Sequence, residues 1–218
     1  IYASGASHKI DIAPGRYSIY VAANIHQDMG DLSLTRLQSY AITAPTDEGT
    51  LTMIGSDTFT IDGSGQVLPI SLKRQAAKIA YNIAVDPAAG DIEISSVQLC
   101  SIPDREYLIT DLTAPTEPAS GFHDSEIRKF PDGSQRANGI FYMLTNRQGD
   151  VSSIASQDQK NPDKAPKYAS YLCIRGRSGE NKVVDFVVYL GSNMTTNFDV
   201  LPNEAHTYNI TILSDSET

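Results

Sequence analysis

The chain of 218 residues has no tryptophan, only two cysteines and only four histidines. Cys100 and Cys173 are too few for a disulfide framework and too far apart for a CxxC metal clip. Both fall in strand-like runs, which leaves two readings open: a pair of buried free thiols, or a single bridge between them. His8, His26, His123 and His206 stand apart, with no partner ligand at helical or strand spacing, so no metal site and no cofactor is expected. Positive charge is also scarce. Lys and Arg total 17 against 26 Asp and Glu, a formal net charge of −9. The longest basic runs are Lys73-Arg74 and Arg128-Lys129, which disfavours nucleic acid as a partner and attachment to an anionic membrane surface. The longest apolar stretches, such as Val183 to Leu190, are broken by Asp185 and fall far short of the ~20 residues of a spanning helix. Ile1 to Gly15 carries no apolar stretch after a basic start, so no signal peptide is read there. The sequence has no GxSxG, HExxH, GxxxxGK[ST] or helix-opening GxGxxG motif. No catalytic residue is assigned, and the chain is read as non-enzymatic.

What the chain does have is period-two alternation bounded by Gly, Pro, Asn and Asp, the pattern of half-buried strands. Tyr17, Ile19 and Val21 alternate with Ser18 and Tyr20, and Leu68, Ile70 and Leu72 with Pro69, Ser71 and Lys73. Tyr208, Ile210 and Ile212 face one way while Thr207, Asn209 and Thr211 face the other. Val184, Phe186, Val188 and Leu190 form an inward set, preceded by Tyr168 to Arg175 across the loop Gly176 to Asn181, which predicts a hairpin. The apolar set shifts from Ile92 and Ile94 to Val97 and Leu99, predicting a β-bulge near Ser95-Ser96. Helix is limited to one short segment carrying Leu34 and Leu37, with Asp31 as its expected cap. The segment Arg74 to Val85 is read as strand despite Ala76, Ala77 and Lys78. A polar, proline-containing stretch after Ile102-Pro103 suggests a division of the chain. The expectation is an all-β fold of two antiparallel β-sandwiches in tandem, residues 1–104 and 105–218. Ser152 to Lys167 reads as a long exposed connection.

Several blocks, taken in order, resemble the fimbrillin family of Bacteroidales, the subunits of surface fimbriae (type V pili). Pro14 to Asn24 is similar to the family's strand closing in Ala-Asn, and Leu68 to Ile79 to its Leu-x-Arg-x-x-Ala-Lys/Arg stretch. Gly139 to Asn146 resembles its aromatic-Tyr block, and Asn203 to Ile212 its closing Asn-x-x-Tyr strand. The resemblance implies transthyretin-like sandwiches, export as a lipoprotein precursor, trimming by an Arg- or Lys-specific protease, and assembly by strand exchange at the cell surface. Family members have an opening strand before the region matching Lys9 to Asn24 and, in stalks, a donated strand after the last one. The chain is therefore expected to lack a strand in its first sheet and to be a tip or accessory subunit, or else a chain trimmed at both ends.

An incomplete sheet exposes unpaired N–H and C=O groups beside an open core. The candidate strand-acceptor groove is placed at Ile19, Val21, Ile79 and Ile83, and the expected partner is another fimbrial subunit donating a strand. The competing reading is a surface module that binds a host protein or glycan without polymerising, for which the Tyr and Phe side chains supply stacking faces.

Overall fold

A computed structural model of the chain describes residues 9–25, 29–30, 32–43, 45, 51–63, 65–109, 115–116, 121–179 and 182–215. In chain order its elements are β1 (Gly15–Ala23), α1 (Leu34–Gln38), β2 (Ala41–Thr43), β3 (Met53–Ile61), β4 (Lys73–Arg74), β5 (Ala77–Val85), β6 (Ile92–Cys100) and β7 (Ile102–Pro103). They continue with β8 (Arg105–Tyr107), β9 (Phe122–His123), β10 (Arg128–Lys129), β11 (Arg136–Met143), β12 (Tyr171–Ser178), β13 (Lys182–Tyr189) and β14 (Ala205–Ile212).

Alternation builds the main body. In β5 the side chains of Ala77, Ile79, Tyr81, Ile83 and Val85 are all buried, and the residues between them are not. Their outward neighbours leave β5 free to pair on both sides, with β11 antiparallel and β14 parallel. The parallel pair departs from the antiparallel sheets expected from sequence. It needs a crossover connection, and here everything from β6 to β13 lies between the two strands. The sheet β11-β5-β14 faces the sheet β10-β6-β12-β13 across one core, to which Leu99, Phe141, Leu172, Ile174, Phe186 and Ile210 contribute.

Both faces of this sandwich combine strands from either side of residue 104. The polar stretch at 103–118 therefore does not separate the sheets: β5 and β6 lie before it in sequence and pair with β11, β12 and β14 after it. Composition marks a surface connection there, but it carries no information about which strands pair across it. Residues preceding β5 build a thinner structure, the three-stranded sheet β1-β3-β4. A second, small core joins it to the rest, with Ile42, Leu108 and Leu144 buried and Ile25, Leu37, Tyr40 and Ile54 packed around them.

Local readings divide by their cause. The bulge is present: the register between β12 and β6 shifts at Arg175/Gly176, leaving no β12 residue opposite Ser95. The hairpin β12-β13 is present with a shorter turn, because β12 runs on to Ser178. The helix carries Leu34 and Leu37, but its cap is Ser33, whose Oγ accepts a hydrogen bond from the Arg36 N–H at 3.3 Å. Asp31 lies outside the described residues. Leu68 to Leu72 alternates yet forms no strand, since only Lys73 and Arg74 pair with β3. Position 55 explains why the segment lies where it does. A Cβ on Gly55 would stand 2.3 Å from the Ser71 carbonyl oxygen and 3.0 Å from Ile70 Cγ2, so residues 70–71 press directly on the glycine.

The connection from Ser152 to Lys167 is pinned rather than fully exposed. Ile154, Ala169 and Phe198 form a small buried cluster beneath it. Lys160 is buried, and its Nζ donates to the carbonyls of Asn193 at 2.8 Å and Asn197 at 2.7 Å and lies 4.7 Å from the centre of the Phe198 ring. Burial pulls its pKa down from 10.5 to about 8, opposed by the nearby Asp150 charge.

Candidate functional site

Among the described residues the sheet β1-β3-β4 is little covered. β1 and β3 pair antiparallel over nine residues, from Gly15 opposite Ile61 to Ala23 opposite Met53. Residues directly opposite share a face, so Tyr17 with Phe59, Ile19 with Asp57 and Val21 with Gly55 line the same side. An ordinary core strand would bury that side. In β1 no residue is buried: Tyr17 and Ile19 are half-buried, and Val21 is 37% exposed. The side facing the other way is held by shorter polar contacts, such as Ser18 Oγ to Thr58 Oγ1 at 3.3 Å.

Two edges of this sheet are open among the described residues. β1 pairs only with β3, so the far edge of all nine of its residues meets no strand. On its other side β3 pairs with β4 only at Met53 and Ile54, so Gly55 to Ile61 meet none there. Main-chain donors and acceptors along an unpaired edge are a template for another extended chain. The apolar face beside them is partly filled by Ile70 at Gly55.

The four residues expected to form one groove are not brought together. Ile19 and Val21 lie on β1 in this open sheet. Ile79 and Ile83 lie on β5 inside the sandwich, 0% and 3% exposed, and cannot line a groove without opening the main core. Their alternation reports burial, which a strand in a filled core and a strand in an open one share. Phe59 and Ile61 of β3, which do belong to the open sheet, escape the sequence reading because Gly55, Ser56 and Asp57 break the apolar alternation before them.

Aromatic residues divide between core and surface. Tyr81 stacks on Phe141 inside the sandwich at 5.5 Å, and Tyr208 is buried in the same core. Phe122 and Tyr168 instead form a half-buried stack, 4.9 Å apart and inclined by 16°, with the Lys167 ammonium 5.1 Å from the Tyr168 ring. Next to Phe122, His123 Nδ1 lies 2.6 Å from Asp104 Oδ1. His206 Nε2 lies 3.0 Å from Glu204 Oε2. His8 and His26 fall outside the described residues, and among the described ones no three His, Cys, Asp or Glu side chains converge. No helix among the described residues is long and apolar enough to cross a membrane.

Residues 141–210 match the family model described as Domain of unknown function (DUF4906). No protein of curated function matches the sequence. Three solved structures share the fold. One is described as a candidate cell adhesion protein from Parabacteroides distasonis, 17% identical, with a TM-score of 0.61 over 95% of this chain and 73% of that one. Another is the tip fimbrial protein Mfa3 from Porphyromonas gingivalis with a C-terminal truncation, 16% identical, TM-score 0.58, over 90% of this chain and 75% of that one. The third, described as a candidate cell adhesion protein from Bacteroides eggerthii, is 15% identical with a TM-score of 0.58, over 89% of this chain and 67% of that one. The fold is thus the β-sandwich fold of Bacteroidales adhesion and fimbrial proteins, in agreement with the resemblance drawn from the sequence.

Proposed function

We propose that the chain is a cell-surface fimbrial subunit with an adhesive role, and that it receives an extended strand from another fimbrial subunit along the sheet β1-β3-β4. The observation that carries this reading is the nine-residue edge of β1 beside a face whose apolar residues Tyr17, Ile19 and Val21 are only partly covered. A strand added there gains main-chain hydrogen bonds for affinity, and its alternate side chains meet the apolar face and set the register. The groove is formed by Ile19, Val21 and Phe59, without Ile79 and Ile83. The sandwich of β5, β6 and β11 to β14 is the rigid body that carries it. Export as a lipoprotein precursor, proteolytic trimming and a tip or accessory position complete the reading, supported by the resemblance and by the likeness to a tip fimbrial protein.

The test is thermal melting with peptides matching the donor strands of fimbrial subunits. A ligand that binds only the folded state at 100 times its Kd stabilises by about 2.7 kcal/mol, and Val21→Asp abolishes that gain while leaving the sandwich folded. A melting temperature indifferent to every such peptide refutes strand exchange. The half-buried stack of Phe122 on Tyr168 then favours the second reading, a module binding host protein or glycan without polymerising.

A further inference from the structure

Cys100 ends β6 and Cys173 lies in β12, far apart in sequence and adjacent in the sheet. The register sets Tyr171 opposite Cys100 and Cys173 opposite Gln98. The two cysteines are therefore diagonal neighbours on one face of adjacent strands. That face is the outer one, since Val97, Leu99, Leu172 and Ile174 of the same strands point into the core. Cys100 Sγ lies 4.0 Å from the Gln98 carbonyl oxygen, and each thiol is the leading influence on the other's acidity. They differ in access: Cys100 is 4% exposed, whereas Cys173 is half-buried. The sequence has no third cysteine to compete.

We propose that Cys100 and Cys173 are a redox pair that closes into an intramolecular disulfide between β6 and β12 when the chain meets a small-molecule disulfide or a thiol oxidant. The Cys173 thiolate attacks one sulfur of the disulfide, forming a mixed disulfide and releasing one thiol. Cys100 then loses its proton to solvent and attacks the Cys173 sulfur, releasing the second thiol. Two protein thiols are oxidised, one small disulfide is reduced to two thiols, and the protons balance. The division of roles follows from the site. The neighbouring Cys100 thiol is the main influence on Cys173, lowering its pKa to about 7 against the opposing effect of burial. The Cys173 thiol, with burial and the Asp124 charge, pushes Cys100 up. Once Cys173 is capped its thiol no longer raises the Cys100 pKa, and the second attack proceeds. The new bond fastens β6, which precedes residue 104, to β12, which follows it.

The experiment uses the full chain, equilibrated with oxidised glutathione, alkylated under denaturing conditions, and examined by intact mass and peptide mapping. The expected product is a monomer that has lost about 2 Da and both alkylatable thiols, with a cross-linked peptide joining positions 100 and 173. Cys100→Ser is expected to stall as a glutathione adduct on Cys173. Two free thiols after equilibration, a mixed disulfide that persists in the wild-type chain, or dimers linked between chains would each overturn the proposal. So would a Cys173→Ser chain whose Cys100 takes up glutathione as fast as the wild-type chain forms the bridge, because Cys173 is then not the attacking thiol. None of these outcomes depends on whether a strand binds at β1.

Discussion

Replacing Asn146 with alanine removes a fully buried side chain that ties residues 146–148 to residues 168–170. Its Nδ2 donates to the Tyr168 carbonyl at 2.8 Å and to Ser170 Oγ at 2.7 Å, and its Oδ1 accepts from Gln148 Nε2 at 2.8 Å. The main chain of Asn146 pairs with Val200 in both directions and is untouched by the change. Three hydrogen bonds of this buried amide at about 1 kcal/mol each give a loss of about 3 kcal/mol. The penalty for stranded partners is limited, because Tyr168 O also accepts from Ser101 Oγ at 3.0 Å and Ser170 Oγ also donates to Ser101 O at 2.7 Å. For a chain of this size that loss lowers Tm by about 6–12 °C. Urea titration followed by circular dichroism measures it, and an unchanged slope shows that the native and unfolded states are otherwise the same. Asn146→Asp discriminates further. It sets an acceptor against the Tyr168 carbonyl and costs at least as much at neutral pH, with part of the loss recovered when the carboxyl is protonated. If Asn146→Ala shifts stability by less than about 1 kcal/mol, the network does not hold these segments and the reasoning fails.

Gly139 faces Tyr81 across the β11-β5 pair, and a Cβ there would lie 2.5 Å from Tyr81 Oη and 2.7 Å from Arg128 Nη1. Gly139→Ala is expected to cost about 1–3 kcal/mol by overpacking, read as a lower urea midpoint, and to displace Arg128 from its place 4.0 Å above the Phe141 ring. Ile79→Ala is expected to cost about 2–5 kcal/mol, whereas Val21→Ala, at a 37% exposed site, costs under about 1 kcal/mol. Equal losses would contradict the assignment of Ile79 to the filled core and Val21 to the open sheet. Lys160 supplies a pH dependence. Its folded pKa, about 8, lies below the ordinary 10.5, so between those values the unfolded chain holds the proton and the folded one has released it. Stability from this group therefore rises with pH across that window and is flat below it, where both states are protonated. Urea midpoints at pH 7, 9 and 10 are expected to diverge between wild type and Lys160→Met, which has no such contribution; parallel profiles would show that Lys160 titrates normally.

The strands of the main body were legible in the sequence because each exposes one face and buries the other, and alternation records that directly. Tyr208, Ile210 and Ile212, the bulge at Ser95 and the strand through Ala77 to Val85 all follow from it. Turn and cap chemistry was legible to within a residue or two, as the helix capped by Ser33 shows. Leu68 to Leu72 alternates like a strand and is none, since alternation needs only one covered face and a segment lying on Gly55 has that. The resemblance to fimbrial proteins was carried by blocks whose order is local, and the shared fold agrees with it. What the sequence could not determine was partnership. Strand pairing is long-range, and the same alternating side chains serve a filled sandwich at Ile79 and a half-open sheet at Ile19. Only tertiary structure decides that β5 and β6 join strands beyond residue 104, that β14 lies parallel to β5, and that Cys100 meets Cys173. Main-chain hydrogen bonds are identical at every position, so the choice among partners rests on how the whole set of apolar faces closes around one core.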